Sequence, residues 1–184
     1  MKRIVILIAT IGLALGIAGG AQATNIVFNG SFETGNFSNW TQTGNTGFSG
    51  VQCPGGAPDG SCSAFFGPVG SVGGISQLLS TVAGTSYLIQ FSFSADGSIP
   101  SSFLATFGGT TLFSLNNPPA SGFHTLTATV TATGSSTLLG FNFRDDPGFL
   151  LLDAVSVTSV PEPASLALLA IALCGMGLAR RRKT

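Results

Sequence analysis

The chain runs to 184 residues, with seven basic and seven acidic side chains and a single histidine. Its formal neutrality is an effect of the ends: Lys2, Arg3, Arg180, Arg181, Arg182 and Lys183 lie in the terminal segments, leaving Arg144 alone against Glu33, Asp59, Asp96, Asp145, Asp146 and Asp153, a formal charge of minus five. An acidic middle with no basic patch excludes a nucleic-acid partner held through phosphates, and polarity supplied by Ser, Thr, Gly and Asn suits an exported β protein better than a cytosolic enzyme.

In chain order the first element is an export signal. Lys2 and Arg3 precede an apolar run from Ile4 to Ala18, and "AQA" at Ala21 to Ala23 offers small residues for a peptidase. That three-part pattern predicts a signal peptide over residues 1–23, read by the export machinery and signal peptidase, with a mature start at Thr24. An uncleaved N-terminal anchor is the alternative, opposed by the helix-breaking Gly19 and Gly20.

Residues 24–159 are long enough for one domain with its own core. Cys53 and Cys62 bracket "PGGAPDGS", a stretch of turn formers, and an oxidising compartment would join them. A zinc pair is the competing reading, but no His or further Cys stands near enough to complete it. Farther on the dominant period is two. "SQLLSTV", "SYLIQFSFSA", "SSFLATF", "TTLFSL", "TLTATVTAT", "STLLGFNF" and "LLLDAVSVTSV" each alternate or run apolar over strand lengths. Ala83 to Thr85 and the pair Gly108 and Gly109 are expected to close tight hairpins, while "NNPPASG" and "DDPG" mark longer corners. So many short strands predict an all-β, antiparallel sandwich with no internal helix, and Trp40 and Tyr87, in strand-like patterns, are expected to be buried.

Signals for catalysis are absent from this sequence. His124 stands alone at a loop-to-strand position, and there is no nucleophile elbow, zinc spacing or phosphate-binding glycine loop. Asp145 and Asp146 are neighbours, so their side chains diverge in an extended segment, unlike the facing carboxylates of a glycosidase. An acid pair assembled from distant strands is the one route left to a hydrolase. Thr125, Thr127, Thr129, Thr131 and Thr133 share a face, but one such strand does not make the registered array that ice binding needs, and Thr is favoured on solvent-facing sheet positions.

The last element is an apolar run from Ala164 to Ala179 followed at once by Arg180, Arg181, Arg182 and Lys183. Sixteen residues are a little short for a bilayer core, and the cationic cluster acts as a cytoplasmic stop-transfer signal. Before it, Pro161 and Pro163 flank Glu162, so "VPEP" stays extended and open to an enzyme at the membrane surface. A permanent single-pass anchor is the other reading of these residues.

Two segments carry resemblances. "VPEP", the apolar helix and the arginines resemble, in order and spacing, the PEP-CTERM sorting signal over residues 160–184, a tail also labelled an ice-binding protein C-terminal domain. That resemblance implies export in a Gram-negative bacterium that makes extracellular polysaccharide, a transient inner-membrane intermediate, and processing by an exosortase that recognises Pro161, Glu162 and Pro163. It further implies delivery to the cell surface or extracellular matrix, in association with exopolysaccharide or biofilm. "NGSFETGNFSNW" from Asn29 to Trp40, with "LLLDAVSV" from Leu150 to Val157, is similar to the opening and closing strands of galactose-binding-like jelly rolls, the fold of several carbohydrate-binding modules. This second resemblance implies one structural calcium held by Glu33 and Asp153, although Ala154 stands where many relatives carry a second Asp. The combined expectation is a non-catalytic, exported surface or matrix protein, with a glycan-binding module as the alternative.

Overall fold

A computed structural model describes residues 24–161. The expected signal segment, the tail helix, Glu162, Pro163 and the terminal cations lie outside the described residues. Ten strands follow in order: β1 (Thr41–Gly44), β2 (Ser49–Gln52), β3 (Ser63–Phe66), β4 (Gly73–Ser80), β5 (Ser86–Ala95), β6 (Ser101–Phe107), β7 (Thr110–Asn116), β8 (Ser121–Thr131), β9 (Ser136–Asp145) and β10 (Leu150–Ser159). They form two five-stranded antiparallel sheets, ordered β1-β4-β9-β6-β7 and β2-β3-β10-β5-β8. Among the described residues there is no helix, and so none long and apolar enough to cross a membrane.

Period-two alternation puts one face of each sheet inward. In β5, Tyr87, Ile89, Phe91 and Phe93 are buried, and in β9 Leu139, Phe141 and Phe143 face them from the other sheet. Phenylalanine supplies most of the bulk between the sheets: Phe66 stacks on Phe143 with centroids 3.8 Å apart, Phe93 lies 4.5 Å from Phe103, and Phe91 meets Phe141 edge-on at 5.1 Å. Rings this large are worth a few kcal/mol each when removed from water, so the core rests on them. Tyr87 is buried in β5 as its strand pattern predicts; Trp40 is also buried, but it lies before β1 and outside any strand, where its indole N–H donates to Asn29 O at 3.1 Å.

Two expectations of local geometry need correction. Gly108 and Gly109 do close the β6–β7 hairpin, but the turn around Ala83 to Thr85 does not join paired strands. It carries the chain from β4 in one sheet to β5 in the other, and its amides bond to the segment before β9, Thr81 N to Ser135 O and Gly84 N to Ala132 O. The physical reason is that β4 and β5 both present apolar faces to the same core, which side-by-side pairing would leave half uncovered. His124 lies within β8 and not at its entry, because β8 begins four residues before "TLTATVT", at Ser121.

The two ends of the sandwich differ. At one, Val160 N bonds to Ser86 O and Asn25 bridges Thr158, so the described chain enters and leaves there. At the other, Leu150 pairs with Ala95 and the loops 45–48, 67–72, 96–100 and 146–149 gather.

Candidate functional site

One carboxylate cluster forms around β10. Its inward residues are Leu150 and Leu152, then Val155 and Val157. The step of three from Leu152 to Val155 forces an extra residue into the strand, and the register against β5 slips between Asp153 and Ser156, with Ala154 at a φ of 51°. This bulge turns Asp153 under the loop closed by the Cys53–Cys62 disulfide, where it is wholly buried. Asp153 Oδ2 accepts the amide of Asp59 at 3.0 Å, and Glu33 Oε1 accepts those of Ser61 at 2.8 Å and Cys62 at 2.7 Å. Glu33 and Asp153 therefore grip one loop from the first and last parts of the domain. A side chain at Gly60 would overlap the Glu33 carboxylate, so glycine is needed at that contact.

The cluster is incompletely satisfied. Asp153 Oδ1 is buried with no hydrogen-bond partner. Burial, then the charges of Asp59 and Glu33, push the Asp153 carboxyl up to about 6 against the pull of its backbone bonds. A hard cation would supply what that oxygen lacks, so these residues fit the calcium that the jelly-roll resemblance implies. Among the described residues no three His, Cys, Asp or Glu side chains converge as a group that could hold a metal, so such an ion would complete its shell with carbonyls and water.

A second acidic pair lies at the loop end. The alternation that buries Leu139, Phe141 and Phe143 carries on to Asp145, which is also wholly buried, while Arg144 and Asp146 turn outward and bond to each other at 2.8 Å. Asp145 thus diverges from Asp146 as neighbours in a strand must, and meets Asp96 at the end of β5 instead. Asp96 is held by the amides of Ser98 at 2.8 Å and Phe149 at 2.9 Å. Distant strands have assembled an acid pair here, one member wholly buried and the other exposed.

Beside this pair opens a cleft of 380 Å³ between the edge strands β7 and β8. Its walls include Leu115, Asn116, Asn117, Ser121 and His124, with Phe93 behind the His124 ring at 5.8 Å in a T-shaped contact. Asn117 is fixed by exchange with Ser101, Oδ1 taking its amide at 2.9 Å and its own amide reaching Ser101 O at 2.8 Å. Asn116 and His124 are exposed. Small apolar surfaces beside amide, hydroxyl and imidazole groups can bind a polar ligand with C–H faces, and the volume lies in the range of ligand pockets.

The sequence marks His124 as a lone histidine and "NNPPASG" as a corner, but nothing in it joins them into one site, because the cleft residues lie on two edge strands and a Pro-rich corner with no shared motif. Of the expected site residues, the structure joins Cys53 to Cys62 and brings Glu33 and Asp153 to one loop. Pro161 is the last described residue and is exposed.

No curated protein matches the chain in sequence. Among solved structures the sandwich is similar to TmCBM61 in complex with β-1,4-galactotriose, with a TM-score of 0.59 at 15% identity over 74% of this chain and 99% of that one. It is similar to the C-terminal family 22 carbohydrate-binding module of Clostridium thermocellum Xyn10B, with a TM-score of 0.53 at 17% identity over 74% and 94% of the two chains. The enzymatically active domain of tailspike protein 4 of bacteriophage CBA120 also matches, at 0.58 and 19% identity over 74% of this chain, which spans only 21% of the tailspike chain. These likenesses establish the jelly-roll fold. Residues 159–183 match the PEP-CTERM protein-sorting motif. The described residues form an all-β jelly roll, similar in fold to carbohydrate-binding modules, and the chain carries a PEP-CTERM sorting motif that begins at the end of its last strand.

Proposed function

We propose that this chain is an exported, non-catalytic surface protein whose sandwich binds polysaccharide, and that an exosortase processes its tail at Pro161, Glu162 and Pro163. The observation that carries the binding reading is the cleft between β7 and β8, a mainly apolar surface edged by polar groups at the end of the domain away from the tail. The match to carbohydrate-binding modules over nearly their whole length supports it, and the sorting motif supports delivery to the surface or extracellular matrix, where exopolysaccharide would be the ligand at hand. The domain division follows from the same reading: residues 1–23 leave with export, residues 24–159 do the work, and residues 160–184 are an address.

Glu33 and Asp153 would hold one calcium ion against the disulfide loop. The ion would neutralise a buried carboxylate and pin the first segment to the last strand. No reaction passes through it.

Affinity electrophoresis of the exported protein in gels containing β-1,4-galactan, xylan or the producing cells' own polysaccharide tests the binding. At least one polymer should retard the protein, and Asn116→Ala with His124→Ala should weaken association at least tenfold without lowering the melting temperature. Mobility that no polymer alters would refute the reading, as would retardation indifferent to both substitutions. The intact mass of material from the cell exterior tests the sorting: a chain ending near Pro161 supports processing, and one retaining Leu166 to Lys183 points to a permanent anchor.

A further inference from the structure

We infer that Asp96 and Asp145 hold a divalent cation, with calcium the ion that fits, at the loop end of the sandwich. This site is distinct from that of Glu33 and Asp153 and does not depend on the glycan reading.

The geometry is that of an incomplete oxygen shell. Asp145 is wholly buried, and neither of its carboxylate oxygens has a hydrogen-bond partner. Two unpaired buried acceptors on one side chain are costly, and native proteins rarely leave such groups without a proton, an ion or a water. The Asp96 carboxylate is the like charge that, second only to burial, raises the Asp145 carboxyl. Each of its oxygens accepts one backbone amide, which fixes its direction and leaves lone pairs free. Ser98 Oγ stands beside it: a side chain at Gly148 would overlap both Asp96 Oδ2 and Ser98 Oγ, so the glycine leaves room for oxygens to crowd together.

Charge points the same way. Arg144 is the one cation among the described residues, and it is committed to Asp146, which also accepts the amide of Gly70 at 3.0 Å. Asp96 and Asp145 therefore have no protein counter-charge. Burial first, and the charge of Asp96 next, push the Asp145 carboxyl up to about 6 against the pull of the nearby Gly148 amide. A cation between them would remove both penalties. All the available donors are hard oxygens, with no Cys or His among them, and that set suits calcium in preference to zinc or copper.

A shared proton is the competing way to satisfy the pair, and the substitution Asp145→Asn separates the two. The amide matches the carboxyl in shape, removes one charge and can donate to Asp96. Calcium bound per molecule should be measured by equilibrium dialysis on the exported protein, for the wild type, Asp145→Asn and the double variant Glu33→Gln with Asp153→Asn. The expected result is that Asp145→Asn binds one calcium fewer than the wild type and loses part of the calcium-induced rise in melting temperature, while the double variant keeps the ion that Asp145→Asn lacks. Equal calcium in wild type and Asp145→Asn would overturn the site. If Asp145→Asn is also the more stable of the two in chelator, the pair shares a proton. Should the double variant unfold, the wild-type comparison with Asp145→Asn still decides the question.

Discussion

Asp145 and Asp153 are the two wholly buried acids of this domain, and they are buried in opposite ways. Asp153 already holds a backbone amide and shares its loop with Glu33, so most of its cluster's bonding is internal and its work is to fasten the disulfide loop to the sheet. Asp145 makes no hydrogen bond through either oxygen, has only the Gly148 amide near it as a donor, and faces another carboxylate. The first arrangement is a joint between distant parts of the chain, and the second has the form of a receptor. Burial of a charged group thus says little until its partners are counted.

That contrast can be tested by degrees. The largest effect is expected at the joint: replacing Cys53 and Cys62 with serine should cost about 2.5 kcal/mol, the chain-entropy value for so short a loop, and should loosen the amides that Glu33 and Asp153 accept. Hydrogen exchange at Asp59, Ser61 and Cys62 is the check, and unchanged protection there would remove the joint. Glu33→Ala should cost about 2 kcal/mol, roughly one for each amide left without its carboxylate in this partly exposed place. Denaturant unfolding in chelator reads it directly, and a loss below about 0.5 kcal/mol would equate the two clusters.

At the receptor the sign reverses. In chelator Asp145→Asn should stabilise the protein, on the order of 1 kcal/mol, by deleting the buried one of two facing charges. A destabilised variant would show that the carboxylate has a partner after all. The gentlest test is pH. Both aspartates bind their proton more tightly folded, up to about 6, than in the unfolded chain near 3.8, so the folded state takes up protons in that interval. Stability in chelator should therefore rise as pH falls from about 7 to about 4, and level off below. Asp96 works against this trend: burial raises its carboxyl, but the amides of Ser98 and Phe149 outweigh burial and leave it lowered. A melting temperature that falls over that interval would mean that ions or hidden donors hold the two acids in their charged form.

Much of the sandwich was legible because alternation is a local signal. "SYLIQFSFSA" and "SSFLATF" are β5 and β6 to the residue. Pairing was less legible: nothing in Ala83 to Thr85 distinguishes a hairpin from a step between sheets, since that depends on which strands cover the core. The cysteine loop could be read from its turn formers. Asp145 could also have been read, because Leu139, Phe141 and Phe143 fix its phase and point it inward. The bulge at Asp153 has a similar trace, the step of three between Leu152 and Val155. Asp96 and the cleft had no such trace, for each depends on where the end of one strand lies relative to residues far along the chain.

The place of β10 has a mechanical consequence. It is the middle strand of its sheet, flanked by β3 and β5, and the chain leaves for the sorting motif from its end. A molecule tethered by that end and gripped at its opposite, loop-bearing end would carry tension along the axis of β10. Antiparallel ladder bonds run across the strand, so such a pull strains the row in shear and loads its bonds together. A pull across an edge strand would peel them one at a time. Held at the Val160 end and gripped at the other, the sheet would be loaded along its length.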